Sequence, residues 1–385
     1  MLYIHIPFCK GKCIYCNFYS GGNPDWKKYL KAVVNELDSR INELGCDSLS
    51  SLYIGGGTPS LIPEEEFELF LHNIHECLEK QGKKLREDIE FTIEVNPEDV
   101  SPEKIEIWKK GGVNRVSMGV QSLNDKELQA VHRRHNAARA RNALSLLSES
   151  FENISVDIIY GLPFQTLESL SETIEEVLKY RPTHVSVYSL TFEDGTPMEI
   201  LRKNGKFTEP SEDDYLAMSA FTEEKLESNG FIRYEISNYA RGNYRSRHNS
   251  GYWSGKAYLG LGPSASSYDG KTVRRNNPAD LKSYMNYYTC EPVKEHPFFK
   301  EERLSREELI EERVFLSLRT KEGLEISRFR KEFGDDVTER LIKIGEEWKE
   351  TGHITTESGR CLRLSRKGFD ISDYIILSIV GKLQL

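Results

Sequence analysis

The segment HIPFCKGKCIYCNF, residues 5–18, sets three cysteines, Cys9, Cys13 and Cys16, three and two residues apart. Thiolate sulfur suits iron–sulfur clusters and zinc, and spacings this short let one tight loop wrap a single metal centre. Position 18, where a fourth thiolate could follow at once, is Phe18, and the next cysteine is Cys46, thirty residues on. Three thiolates without a fourth predict an iron–sulfur cluster with one iron open to a further ligand. Zinc is the main competitor; its closed sites show two separated Cys or His pairs, and no second pair is visible here.

Working outward, 385 residues exceed the size at which a single core stops growing, which predicts one large and one smaller domain. The boundary is expected between them as 1–290 and 291–385. Lys and Arg total 52 against 61 Asp and Glu, and the net charge of −9 argues against a general nucleic-acid binder. No apolar run approaches the ~20 residues of a membrane span, and the N-terminus lacks the pattern of a signal peptide. The expected location is cytoplasmic. Seven cysteines, an odd number with three clustered, fit a reducing compartment, and Cys46, Cys77, Cys290 and Cys361 read as ordinary thiols.

The first two hundred residues alternate β-rich runs with helical segments, the pattern of parallel strands and crossover helices. Strands are expected at Leu2 to Ile6, Ser51 to Ile54, Ile89 to Val95, Arg115 to Gly119, Ile154 to Tyr160 and His184 to Leu190. Helices are expected around Trp26 to Leu44, Glu64 to Gln81, Pro102 to Gly111, Lys126 to Val131, Ala137 to Ser148 and Leu167 to Tyr180. Six βα units predict an α/β fold of the (β/α)6 type, a complete or partial barrel. The loops GGGTPS (55–60), NPED (96–99), GVQSLN (119–124) and GLPFQT (161–166) follow strands. In parallel α/β folds the carboxyl ends of the strands carry the site, so these loops and the cysteine loop should share one mouth.

From about Asn229 the composition turns aromatic and Gly-rich, too apolar for a linker, and this stretch is expected to complete or cap the main domain. After Pro292 to Pro297, helical signals over Leu304 to Leu318 and Glu325 to Thr351, a short run Cys361 to Leu364 and a final helix ending near Leu383 predict a small, mainly helical, winged-helix-like module.

With these motifs in hand, the chain resembles the radical S-adenosylmethionine proteins of the HemN and HemW group. The resemblance rests on YIHIPFCKGKCIYCNF, GGGTP, EVNPE, GVQS, DIIYGLPFQT and RHNSGYW, in that order. It implies a radical SAM partial barrel in which Cys9, Cys13 and Cys16 hold a [4Fe–4S] cluster. The open iron would chelate S-adenosylmethionine, and an electron passed into the sulfonium would release a 5′-deoxyadenosyl radical. Within the group the chain looks more like the HemW-type heme chaperones than the oxygen-independent coproporphyrinogen III oxidases. The oxidases carry a further cysteine where this chain has Phe18, and an extension precedes their cysteine loop where this chain starts at Met1. The motif of His248, Asn249, Tyr252 and Trp253 is associated with the HemW type.

The resemblance implies a site for S-adenosylmethionine formed by Tyr3, Tyr15, Gly56, Gly57, Thr58 and Glu94. Glycine lets a backbone approach a ligand, although a glycine run is equally a tight turn into the helix near Pro63. Gln121, Arg133 and Asp157 match positions that contact a second S-adenosylmethionine in the oxidases; a structural ion pair is the other reading of Arg133 and Asp157. No catalytic side chain is assigned, and cofactor cleavage without coproporphyrinogen conversion is the implied activity. His248 is a candidate axial ligand of heme iron, with Arg245 and Arg247 near the propionates. A hydrogen-bonded turn among core aromatics is the competing reading of His248. His5 is expected to brace the cluster loop, and His132 to His135 to form a basic knot for a carboxylate or phosphate. The implied partners are heme, a heme-receiving apoprotein and an electron donor for the cluster, with a homodimer compatible; no integral membrane segment is expected.

Overall fold

The computed structural model describes residues 1–290, 296–357 and 359–383. Nine strands build the main sheet: β1 (Leu2–Ile6), β2 (Ser48–Gly56), β3 (Lys84–Val95), β4 (Arg115–Gln121), β5 (Asn153–Tyr160), β6 (His184–Ser189), β7 (Ile232–Arg233), β8 (Asn238–Ala240) and β9 (Leu259–Leu261). Their order is β7-β8-β6-β5-β4-β3-β2-β1-β9, with β1 to β6 parallel in sequence order. The short β9 adds in parallel to β1, whereas β8 runs antiparallel to β6. The sheet therefore curls as an open, partial barrel with edges at β7 and β9.

Helices α1 (Trp26–Arg40), α2 (Glu64–Lys80), α3 (Pro102–Lys110), α4 (Asp125–Ala130), α5 (Ala137–Ser150) and α6 (Leu167–Lys179) cover its outer face. Helix α7 (Pro197–Lys203) packs on the cysteine loop through Met198, α8 (Glu212–Ser228) joins the outer layer beside α6, and α9 (Arg247–Trp253) sits on the inner face of β2. Strand alternation explains the layering. Leu2, Ile4 and Ile6 of β1 are fully buried in the main core with Val33 and Leu37 of α1, while Tyr3 and His5 take the opposite, inner face. The helix starts are written in the sequence: Asp25 accepts from the Lys28 amide at 3.1 Å, and Thr166 with Ser169 forms a capping box on α6.

The aromatic, Gly-rich stretch does complete the main sheet, supplying β7, β8 and β9, and α9 packs against β2. A second small sheet, β10 (Ser266–Tyr268), β11 (Val273–Asn276) and β12 (Lys300–Arg303), and helix α10 (Leu281–Thr289) follow. A buried polar knot pins α1 to this extension. Glu36 and Arg40 pair at 2.6 Å, and the Glu36 carboxylate also accepts from Tyr284 Oη (2.7 Å), the Gly262 amide (2.8 Å) and Asn277 Nδ2 (2.8 Å). Such a pair is tolerated because every charge finds partners.

A separate apolar cluster belongs to the C-terminal part, where α11 (Arg306–Leu318), α12 (Ile326–Phe333), α13 (Asp335–Glu350), α14 (Arg366–Asp370) and α15 (Ser372–Leu383) surround the ribbon of β13 (Leu324–Glu325), β14 (Ile354–Glu357) and β15 (Cys361–Leu364). The helical signals over Glu325 to Thr351 resolve into two helices. Gly334, at φ 89°, ends α12 in a conformation that favours glycine, and α13 starts anew. The expected domain boundary abuts residues 291–295, which lie outside the described residues, as does Pro292. Among the described residues no helix is long and apolar enough to cross a membrane.

Candidate functional site

The carboxyl ends of β1 to β6 converge on one mouth, and the cysteine loop leaves β1 there. Gly57 donates its amide to the Ile6 carbonyl (2.7 Å), which draws the glycine loop after β2 against the start of the cysteine loop. A Cβ at Gly57 would lie 2.7 Å from the Phe8 carbonyl oxygen, 2.8 Å from that of Ile6 and 3.1 Å from Cys9 Sγ, so this position requires the close approach only glycine permits. Gly56, at φ 109°, leaves no room either, its Cβ falling 2.4 Å from His5 Nδ1. The turn reading and the ligand reading of these glycines are thus compatible: the turn holds the cysteine loop in place.

Around the thiols, Thr58 Oγ1 donates to Cys9 Sγ at 3.4 Å and Arg133 Nη1 to Cys13 Sγ at 3.6 Å. Hydrogen bonds to sulfur are among the levers by which a protein tunes an iron–sulfur centre. Among the described residues no three His, Cys, Asp or Glu side chains form a group able to hold a single metal ion. A cluster asks for something different: each thiolate binds its own iron, so the sulfurs stay apart while one loop presents all three. The donor set fits such a cluster. His5 braces the far end of the loop, its Nε2 donating to the Tyr19 carbonyl at 2.9 Å and its Nδ1 accepting from Tyr3 Oη at 3.0 Å.

Inside the mouth lies a polar row. Glu94 Oε1 accepts from Tyr53 Oη (2.7 Å) and Oε2 from the Gly56 amide (2.9 Å); burial pushes the carboxyl up to about 7 against those two hydrogen bonds. Asp157 is also raised by burial, with Ser186 and Ser117 opposing the shift. Arg133 Nη2 donates to Asn96 Oδ1 (2.9 Å) and the Gly119 carbonyl (2.6 Å). Tyr15 is half-buried beside Arg133 and Cys13, and its phenol is raised by desolvation there. At Gly119/Gln121 the register of β4 slips against β5, and Gln121 sits at φ 66°, an irregularity that re-aims its side chain. Gln121 Oε1 and Arg133 Nε are buried without a hydrogen-bond partner among the described residues. Orphaned polar atoms in a mouth call for a polar ligand, and S-adenosylmethionine, with its ammonium, carboxylate and ribose hydroxyls, fits that need.

His248 is elsewhere. It sits on α9 at the amino-terminal half of β2, 1 % exposed, with Nδ1 2.9 Å from Ser51 Oγ and Nε2 2.8 Å from Tyr252 Oη. The Tyr53 ring lies 5.0 Å away. Burial, aided by the N-terminal ammonium and Arg115, pushes its pKa down to about 3, so the ring is neutral. Both nitrogens are engaged, and in this conformation neither is open to a heme iron. The helix start is held by Glu90, whose carboxylate accepts from the amides of Arg247 (2.8 Å) and His248 (2.9 Å). Arg245 and Arg247 pair with Glu322 and Asp88 in surface ion pairs. The basic knot is also internally paired, Arg134 and His135 facing Glu98 at 3.3 and 3.6 Å.

Sequence reasoning missed Tyr53, Asn96 and Arg115. Tyr53 was signalled by period-two alternation with Ser51 and Gly55 on β2, and Asn96 by its place in a strand-end loop. Arg115 opens β4, and nothing local marks a buried arginine.

This architecture and cysteine loop define a radical SAM protein. A radical SAM superfamily profile matches residues 3–177, and a HemN C-terminal domain profile matches residues 304–371. The structure of the coproporphyrinogen III oxidase HemN from Escherichia coli superposes with a TM-score of 0.79 at 22 % identity, covering 99 % of this chain and 89 % of that one, which shows a shared fold. The heme chaperone HemW of Bacillus subtilis (strain 168) is 34 % identical over 384 residues, 99 % of each chain. Mitochondrial radical S-adenosyl methionine domain-containing protein 1 of Bos taurus is 32 % identical over 100 % of this chain and 88 % of its own. The chain belongs to the HemW family of radical SAM proteins. Membership of the superfamily implies a [4Fe–4S] cluster and S-adenosylmethionine.

Proposed function

We propose that this protein is a heme chaperone, which binds heme and delivers it to apoproteins. The observation that carries the reading is the 34 % identity to a heme chaperone across 99 % of both chains. Cys9, Cys13 and Cys16 hold the cluster, and Thr58 and Arg133 orient two of the thiolates through hydrogen bonds. Gly56, Gly57, Glu94, Tyr3 and Tyr15 bind and enclose S-adenosylmethionine, with Gln121, Arg133 and Asp157 on the wall of the same mouth. A reduced cluster and S-adenosylmethionine together supply one-electron radical chemistry when bound. The chain's own contribution is to present the thiols, orient the cofactor and shield the mouth from water. The reading includes a radical SAM unit over 1–290, a C-terminal unit over 291–385, a cytoplasmic location, an electron donor and a heme-receiving apoprotein.

The test is an anaerobically reconstituted sample titrated with hemin, offered a heme-free acceptor protein, and assayed in parallel with coproporphyrinogen III. The expected result is stoichiometric hemin binding, heme transfer and no conversion of coproporphyrinogen. Vinyl products formed in step with cofactor turnover would establish the oxidase instead, and absence of hemin binding would end the chaperone reading.

A further inference from the structure

The inner faces of the strands below the mouth are polar, whereas closed barrels of parallel strands fill their interior layers with branched apolar side chains. The register sets Tyr53, Thr92 and Arg115 side by side in one inward layer, and Glu94, Ser117, Ser155 and His184 in the layer above it. Arg115 stands out among them. It is 1 % exposed, and its charge acts on Tyr53 of β2, Glu94 of β3, Asp157 of β5 and His184 of β6, which places the guanidinium in the middle of the bore.

The carboxylates around it are engaged elsewhere. Glu94 accepts from Tyr53 and the Gly56 amide, Asp157 from Ser117 at 3.3 Å, and Glu90 from the first amides of α9. Arg115 Nε has no hydrogen-bond partner among the described residues. The same holds for Thr92 Oγ1, fully buried beside it across the β3–β4 register.

A guanidinium taken out of water without a contacting carboxylate is costly, and an orphaned hydroxyl next to it adds to that cost. An anion entering the bore would relieve both. A carboxylate suits the pair, because its two oxygens match one edge of a guanidinium and can also accept the Thr92 hydroxyl. One negative charge balances Arg115, whereas a phosphate dianion would bring a second one toward Glu94 and Asp157. Two residues along a strand span about 7 Å, so a carboxylate on Arg115 lies about that far below Glu94, with its carbon chain directed up the bore at the mouth.

We propose that the bore is a further ligand site, in which Arg115 and Thr92 bind the carboxylate of a small aliphatic acid beneath S-adenosylmethionine. The burial of Arg115 keeps a macrocycle from reaching this depth, so the ligand is neither heme nor another porphyrin. An acid held this way, its chain turned toward the cofactor, is the class of substrate that the radical chemistry of the mouth can reach, whether or not the chain carries heme.

Equilibrium dialysis of the full-length protein, reconstituted with its cluster, tests this with radiolabelled straight-chain monocarboxylates from acetate to hexanoate, with and without S-adenosylmethionine. Saturable binding of at least one acid is expected, and its affinity should fall about 10- to 100-fold in Arg115→Met and less in Thr92→Val, compared at equal iron content. The matching methyl ester and inorganic phosphate should not displace it. Absence of saturable binding by the wild type overturns the proposal, as does binding that both variants leave unchanged. Displacement of the acid by S-adenosylmethionine would show that the two share one site and would overturn it too. Thr92→Val keeps the test decisive if Arg115→Met does not fold, and the wild-type titration needs neither variant.

Discussion

Tyr53 donates its phenolic hydrogen to Oε1 of Glu94 across 2.7 Å, joining the inner faces of β2 and β3 at the floor of the mouth. The bond satisfies a carboxyl that burial has taken out of water, and with the Gly56 amide it offsets part of the cost of charging it there.

The pH dependence follows in sign. Glu94 titrates at about 7 in the folded chain against 4.5 as its ordinary value, so between these values the folded state holds a proton that the unfolded state has released. This group favours folding below about pH 4.5, and its contribution is lost as pH rises through 7. The shift corresponds to about 3 kcal/mol. Glu94→Gln should remove it: urea melts of cluster-free protein should show the wild type losing about that much stability relative to the variant across the window. Glu235, also raised to about 7 by burial, is common to both and cancels. A wild-type-minus-variant difference that is flat with pH would contradict the expectation.

Removing the carboxylate in the knot between α1 and the extension should be costly. Glu36→Ala leaves Arg40 buried and takes the carboxylate from Tyr284 Oη and from Asn277 Nδ2, which keeps the Gly262 carbonyl. Breaking a buried pair from one side costs about 3 to 5 kcal/mol. Glu43 still holds Arg40 Nε at 3.0 Å, which places the expected loss near the lower end of that range, read as a drop in denaturation midpoint.

Gly57→Ala should loosen the cysteine loop without touching a thiol. Its Cβ must displace the Ile6 and Phe8 carbonyls or Cys9, and overpacking of this kind costs about 1 to 3 kcal/mol. Iron and sulfide content after identical reconstitution should fall well below wild type. Full incorporation would show that the glycine loop does not set the position of the cysteines.

The cysteines divide into two sets with opposite expectations. Alanine at Cys9, Cys13 or Cys16 should each abolish the visible iron–sulfur absorption. The combined replacement of Cys46, Cys77, Cys290 and Cys361 should leave it intact, since Cys77 is buried against α1's Asp38 and the others are isolated in the sequence. Absorption lost only in the second set would move the metal site elsewhere.

Much of the fold was readable in the chain. Strands β1 and β15 begin and end at the residues expected, because period-two alternation and bordering turn residues are local signals. The break at Gly334 was not read, since amphipathic patterns continue on both sides of it and the glycine acts through a positive φ that the pattern does not record. In the site, the thiol triad and the strand-end loops were legible as motifs. The orientation of the histidines and arginines was not: the partner of His248 is Ser51, 197 residues away, and Arg247 meets Asp88 from a distant strand.

What the sequence alone determined is the set of groups held close by chain connectivity: three thiols in one loop, six strand–helix units, and the glycine turn that follows β2. Local spacing suffices for these, because the atoms involved are separated by a few bonds or one helical turn. Tertiary structure decided which face each side chain meets. It turned His248 inward to Ser51 and Tyr252 and left the oxygen of Gln121 without a hydrogen-bond partner among the described residues. Burial and hydrogen-bond satisfaction are properties of the packed chain, and they exist only once segments hundreds of residues apart have met.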